Sequence, residues 1–331
     1  MRSIRRGLLA ASIIAAAAAA PLAAQGVGTT GAQVLQMPAG ARAAALSGAY
    51  TAASGDADVL FYNPAGIAGL HRAVGLSYQR HVMDVSLGSI SGAARVGPVV
   101  IGAGIAYLDA GRIRVTEPDP DFGGERGRET GASAAARENA LRLAVGVPLL
   151  GDQLHLGAAA GFASSELAGV SRSAPFLDLG AQAGFDLDAG GGIPIGITLG
   201  AALRNAGGSM TGAGAEDARL PMEARAGMSV QAVAPQGLGA VLTGDFIAAL
   251  REETYTGVGG VEVGILPIDP ERLSAVLRVG YNADPDLHGL NALQLGAGVS
   301  LSGISVDYFY QGSGDLGAAH RIGVRWRQGR R

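Results

Sequence analysis

From about Arg72 onward the chain alternates apolar and small or polar residues with a period of two, run after run. Val74, Leu76 and Tyr78 alternate with Gly75, Ser77 and Gln79. Leu141, Leu143, Val145 and Val147 alternate with Arg142, Ala144 and Gly146, and Leu177 to Leu187 repeats the rhythm around Asp178, Gly180, Gln182 and Asp186. Ala275, Leu277, Val279 and Tyr281 oppose Ser274, Arg278 and Gly280 near the end. Successive side chains of a strand point to opposite faces, so this period predicts strands with two unlike faces. Such runs, with two less regular ones near 238–246 and 255–265, number about 14. They span ~9–12 residues, longer than a usual globular strand and matched to a tilted strand crossing a bilayer.

The connections support that reading. Gly111–Ala136, Ser164–Pro175, Arg204–Pro221 and Asn282–Leu290 are long. Those between them, such as Gly97-Pro98, Pro148–Asp152 and Ser302-Gly303, are tight. Ile265–Glu271 is a longer inner turn, and the first outer connection, near 82–84, is short. Long loops at one end and short turns at the other are the outer-membrane pattern. The expected fold is all-β: an up-and-down antiparallel transmembrane β-barrel of about 14 strands over residues 72–327. Closure also removes the sheet edges that an open sheet would have to protect. A soluble periplasmic β protein is the alternative.

Ahead of the strands the chain is different. Arg2, Arg5 and Arg6 precede an apolar stretch from Leu8 to Ala20, followed by Pro21-Leu22-Ala23-Ala24. This reads as a signal peptide over residues 1–24, too short to span a bilayer as a helix. Residues 25–71 are expected to form a short, partly helical plug. Gly40–Leu70 begins Ala-rich, turns acidic at Asp56 and Asp58, then apolar and aromatic through Tyr62. It closes on Asn63-Pro64-Ala65-Gly66, a turn signal expected to deliver the chain to the first strand. The basic tail 328–331 ends the chain.

Composition narrows function more by exclusion. The net charge is −3, and removing three signal arginines leaves 22 basic against 28 acidic side chains, which argues against nucleic-acid binding. There is no cysteine, so no disulfide and no thiolate site. The five histidines show no metal-ligand spacing. Gly26 to Gly31 matches GxGxxG by letter but lacks a preceding strand, so no dinucleotide cofactor is read from it. No catalytic, cofactor-binding or metal-binding residue is identified, and the chain is read as non-enzymatic. Charges on the small-residue faces (Arg142, Asp178, Asp186, Glu223, Arg225, Arg278, Asp307 and Arg325) are expected to face the lumen as ion pairs or along a substrate path. Tyr78, Tyr107, Phe176, Phe185, Tyr281, Tyr310 and Trp326, near run ends, are expected to form a thin interfacial girdle.

Two stretches carry a family resemblance. Gly40-Ala41-Arg42, Gly48-Ala49-Tyr50-Thr51-Ala52, Asp56 and Asn63-Pro64-Ala65-Gly66 resemble the N-terminal signature of the PorV/PorQ outer-membrane proteins, distant relatives of the FadL channels. Leu277–Tyr281, Leu295–Leu301, Ile304–Tyr310 and Gly314–Trp326 resemble its C-terminal end, although the five residues after Trp326 depart from a terminal aromatic. The resemblance implies a 14-stranded barrel with the N-terminal segment at or in the lumen. It implies protein secretion or surface attachment of the type IX kind, with secreted cargo and other secretion components as partners bound through outer loops. The alternative it carries is FadL-like transport of long-chain fatty acids or other hydrophobic small molecules. In either case the chain would sit in the outer membrane, in contact with its lipid.

Overall fold

A computed structural model describes residues 30–80, 85–188, 193–212, 217–234, 237–266, 272–285, 287, 289–312, 314 and 317–328. The expected signal peptide, the short connection near 82–84, most of the turn over 265–271 and the last three residues lie outside them.

Fourteen strands form one closed antiparallel barrel. In chain order they are β1 (Arg72–Arg80), β2 (Ser86–Val96), β3 (Val99–Pro118), β4 (Gly127–Leu149), β5 (Leu154–Leu167), β6 (Val170–Asp188) and β7 (Pro194–Gly207). A two-residue pair, β8 (Ser209–Met210) with β9 (Ala218–Arg219), interrupts the series. The wall resumes with β10 (Glu223–Val233), β11 (Leu238–Ala249), β12 (Thr254–Ile265), β13 (Ser274–Asn282), β14 (Leu293–Leu301), β15 (Ile304–Gly312) and β16 (Ala318–Arg327). Each pairs with its neighbour, and β1 closes on β16 from Ala73↔Arg327 to Arg80↔His320. Closure gives every wall strand two partners, as hydrocarbon requires of a spanning backbone. No helix among the described residues is long and apolar enough to cross a membrane.

The alternation sorts as expected. Leu143 and Leu277 stand on the outer face at 60% and 70% exposure, while Arg142 and Arg278 between such residues are 1% and 3% exposed. Three sequence expectations change. Gly111–Ala136 is not a loop: β3 and β4 continue beyond the wall as a two-stranded ribbon, and only 119–126 turn. Thr116, Thr130 and neighbouring residues are β-compatible, and the alternation there is masked by charge because both ribbon faces are exposed. Ser164–Pro175 likewise shrinks to the turn at Ala168-Gly169. Phe176 is buried inside the lumen rather than placed in a girdle, since it shares strand parity with Asp178. Tyr78, Phe185, Tyr281, Tyr310 and Trp326 are on the outer face and exposed, and Tyr107 is half-exposed over Gly88.

Residues 30–71 run inside the barrel. Thr30 bridges to Arg219 at the long-connection end, and Ser54-Gly55 lies beside Arg327 at the short-turn end. Between them, α1 (Ala41–Ala45) packs on β13 to β16, and 3-10 turns at Ala57–Phe61 and Pro64–Ile67 pack on β1–β3 and β4–β6. Leu60, Phe61, Tyr62, Ile67, Val100, Phe176, Met210 and Leu220 join in one apolar cluster. The segment approaches the wall backbone at inward glycines. A Cβ at Gly157 would lie 2.6 Å from Ala65 Cα, at Gly200 2.7 Å from the Thr51 carbonyl carbon, and at Gly260 2.7 Å from Leu46. This explains part of the glycine load: a Cβ on these strands would hold the segment off the wall.

Gly157→Val should therefore lower unfolding stability by about 1–3 kcal/mol through overpacking. Gly184→Val, on β6 with nothing within 4 Å of its Cβ position, should leave it unchanged. Urea unfolding of the detergent-folded barrels, followed by heat-modifiable gel migration, compares them; equal midpoints would contradict the packing.

Candidate functional site

Inward charges meet the N-terminal segment in two clusters. On the β12–β16 side, Glu262, Arg278, Asp307 and Arg325 occupy successive inward positions of β12, β13, β15 and β16. Arg278 Nη1 donates to Asp307 Oδ1 at 2.8 Å, and Arg325 Nε donates to Asp307 Oδ2 at 2.6 Å. From the segment, Arg42 Nε donates to Glu262 at 3.2 Å, and Asp56 Oδ2 accepts from Arg325 Nη1 at 2.8 Å and from Tyr50 Oη at 2.6 Å.

The second cluster spans β4, β6, β7, β10 and β11. Arg142 Nε donates to Asp178 at 2.9 Å, and its guanidinium lies 4.7 Å from the Phe176 ring centroid. The β6–β7 ladder skips a residue here, with Leu177 opposite Ala206 and Leu179 opposite Leu203. Asn205 occupies the bulge at φ +56°, and the Asp178 carboxylate accepts its backbone N–H at 2.6 Å. The carboxylate thus replaces a ladder partner that the bulge removes. Further round, Glu223 accepts from Arg204 at 2.9 Å and from Arg225 at 3.0 Å, and Arg225 lies 3.9 Å from Asp245. Asp245 accepts the Tyr50 and Thr51 backbone N–H groups, each at 3.0 Å.

The Asn63–Gly66 stretch is a 3-10 turn buried against β4, β5 and β6, a few residues ahead of β1. Asn63 Oδ1 caps the turn by accepting from Ala65 N, and Asn63 Nδ2 donates to the Thr51 carbonyl at 2.8 Å and the Ala181 carbonyl at 3.1 Å. Pro64 stands at the first turn position, where no N–H is needed. Gly66 lets Val59 and the Ala53 carbonyl close in. Tyr62 Oη donates to the Ala39 carbonyl at 2.9 Å, tying one turn of the segment to its start. Asp58 is buried and accepts from Ser91 Oγ at 2.6 Å. Asp186, expected inside, stands exposed at the short-turn mouth, lining a cavity of about 380 Å³ with Tyr50 and Thr243.

Arg42, Arg204, Asp245, Glu262 and Arg321 were not singled out as lumen charges, although the last four share inward parity with their neighbours. Arg321 donates to Gln79 at 2.8 Å and to the Gly40 carbonyl at 3.1 Å. Strand parity could have found these four; their pairing could not be read. No group of residues suited to hold a metal ion occurs among the described residues. On the outer face of β1–β7, small side chains such as Ala103, Ala158 and Ala160 leave an apolar concavity of about 1300 Å³.

No family model matches the chain. No curated protein matches it either. Solved structures do. The Ralstonia pickettii toluene transporter TbuX is similar at TM-score 0.51 and 15% identity over 88% of this chain and 98% of that one. The CymD monoaromatic hydrocarbon channel is similar at TM-score 0.50 and 11% identity over 87% and 96%. A Pseudomonas aeruginosa FadL homologue gives TM-score 0.47 and 11% identity over 87% and 98%. The fold is thus a closed barrel like those of TbuX and CymD. The neighbours are transporters and channels rather than enzymes.

Burial, with Asp56 close by in the chain, pushes the Asp58 carboxyl up to about 6 from 3.8. The folded protein then holds this proton more tightly than the unfolded chain. The stabilisation is complete below about pH 4 and is lost as pH rises through 6. Asp58→Asn should flatten the pH dependence of the urea midpoint between pH 5 and 7.5 and raise stability above pH 6 by about 1–3 kcal/mol. Parallel slopes for the two proteins would contradict it.

Proposed function

We propose that this barrel passes small hydrophobic molecules across the outer membrane, with the N-terminal segment as its plug. The observation that carries the reading is the interior. Water-filled porins have polar lumens. Here Leu60, Phe61, Tyr62, Ile67 and Phe176 pack as a buried apolar cluster against β3 to β6. One strand thickness away lies the apolar concavity of the outer face. Such surfaces suit a hydrocarbon and disfavour ions and sugars. The fold likeness to a toluene transporter and a monoaromatic hydrocarbon channel agrees with this reading, at the level of fold alone.

The lumen charges act in this proposal as supports. Arg142, Asp178, Glu223, Arg225, Arg278, Asp307 and Arg325 are paired with one another or with the segment. The secretion reading that the sequence resemblance implies, with cargo bound through outer loops and type IX components as partners, gains no support from the neighbouring structures. No cofactor enters the proposal. Export by a cleaved N-terminal signal is part of it.

A strain lacking the gene should take up toluene or a long-chain fatty acid several-fold more slowly than its parent, with glucose uptake unchanged. Equal hydrocarbon and fatty-acid uptake in both strains would overturn the proposal. In planar bilayers, deletion of residues 33–69 should raise single-channel conductance while gel migration stays heat-modifiable; unchanged conductance would show that the segment does not close the lumen.

A further inference from the structure

The charges at the short-turn end close into a ring. Arg42 Nη1 meets Asp56 Oδ2 at 3.2 Å, and Asp56 Oδ2 meets Arg325 Nη1 at 2.8 Å. Arg325 Nε meets Asp307 at 2.6 Å, and Asp307 meets Arg278 at 2.8 Å. Arg278 Nε meets Glu262 at 2.5 Å, and Glu262 returns to Arg42 at 3.2 Å. Three guanidinium groups alternate with three carboxylates, so the ring is neutral. Arg42 and Asp56 belong to the N-terminal segment; the other four belong to the wall.

A cut along the segment–wall boundary crosses only two of the six contacts, Arg42–Glu262 and Asp56–Arg325. Each side of that cut is itself neutral. The segment keeps Arg42 with Asp56, still bonded to Tyr50 Oη. The wall keeps the unbroken chain Glu262–Arg278–Asp307–Arg325. Removing any single member would strand a buried charge, which is strongly destabilising. Parting along the boundary strands none.

The second cluster has the same property. Arg142 with Asp178, and Arg204 and Arg225 with Glu223 and Asp245, all lie on the wall and balance there. They hold the segment through its backbone instead. Arg204 donates to the Leu35 carbonyl and Arg225 to the Gly48 carbonyl. These are groups that water can satisfy once the segment moves. The ring is also within reach of solvent. Arg42, Asp56, Glu262, Arg278 and Arg325 line a cavity of about 280 Å³ at the short-turn mouth, beside Gly303.

We propose that the ring is a latch built to open. The N-terminal segment separates from the wall by parting at Arg42–Glu262 and Asp56–Arg325 from the periplasmic mouth, its two ring members leaving as a neutral pair while the wall keeps its own charge chain intact. This rests on the transport reading and names its moving part and its release point.

The test uses the purified full chain in planar bilayers and in proteoliposomes. Arg42→Gln with Asp56→Asn removes both crossing pairs and leaves the wall chain balanced. Openings should become about tenfold more frequent, the size expected of two partly solvated pairs. Heat-modifiable migration should be kept. The absence of cysteine allows a second variant, Ser47→Cys with Gln294→Cys, joining two side chains that touch between the segment and β14. With the cross-link confirmed by mass spectrometry, the oxidised form should stay closed, and dithiothreitol should restore openings. Wild-type opening frequency in the charge variant would overturn the latch, as would openings in the oxidised form equal to those in the reduced one. Toluene uptake into proteoliposomes separates this from the transport reading. Uptake by the oxidised form equal to the reduced form sinks the latch and leaves transport standing. Absence of uptake by wild type sinks transport, and the opening frequencies still decide the latch.

Discussion

Hydrocarbon offers no hydrogen-bond partner to a peptide group, so a strand that enters it must be paired on both sides along its whole length. Closure of β1 on β16 is the consequence, and the other features of the chain follow from it. Fourteen tilted strands enclose a space too wide for their own side chains to fill, in contrast to a barrel of about eight. That space must hold water, a ligand or protein. Here the N-terminal segment occupies it, and the wall is shaped to receive it. Inward glycines on β5, β7 and β12 let backbone approach backbone, and the apolar turn residues from Leu60 to Ile67 press on β1 to β6.

Charge inside such a barrel is expensive unless each group has a partner. The wall solves this within itself, across neighbouring strands, and presents the remaining donors to the segment's carbonyl groups. The segment brings one cation and one anion into its ring, Arg42 and Asp56. Both bodies are thus polar where they meet on one side and apolar on the other. A permanently fused core would gain more from apolar contact all round; a seam of paired charges beside a cavity suits a contact made to part.

Much of this was legible from residue order. The period-two runs gave strand number, strand limits near Arg72 and Arg327, and the parity that put Arg142, Glu223 and Arg278 inside. Parity would equally have placed Arg204, Asp245, Glu262 and Arg321 there. The ribbon of β3 and β4 was misread as a loop because strands exposed on both faces have no apolar side to alternate. Asn63-Pro64-Ala65-Gly66 reads as a turn ahead of the first strand, but its burial against β4 to β6 is not in the local sequence. Local chemistry sets a cap and a fixed φ; it does not say which wall the turn will rest against.

The division follows from range. Pleat, apolar alternation and turn chemistry act between residues close in the chain, so the sequence alone determined a barrel of about 14 strands with an apolar outer face and a different segment in front. The ring joins Arg42 to Glu262 and Asp56 to Arg325, residues more than 200 positions apart. Which charge meets which depends on shear, strand tilt and the path of the segment through the lumen. Those are set only when the sheet closes, and tertiary structure alone decided that six scattered side chains become one neutral ring at the barrel mouth.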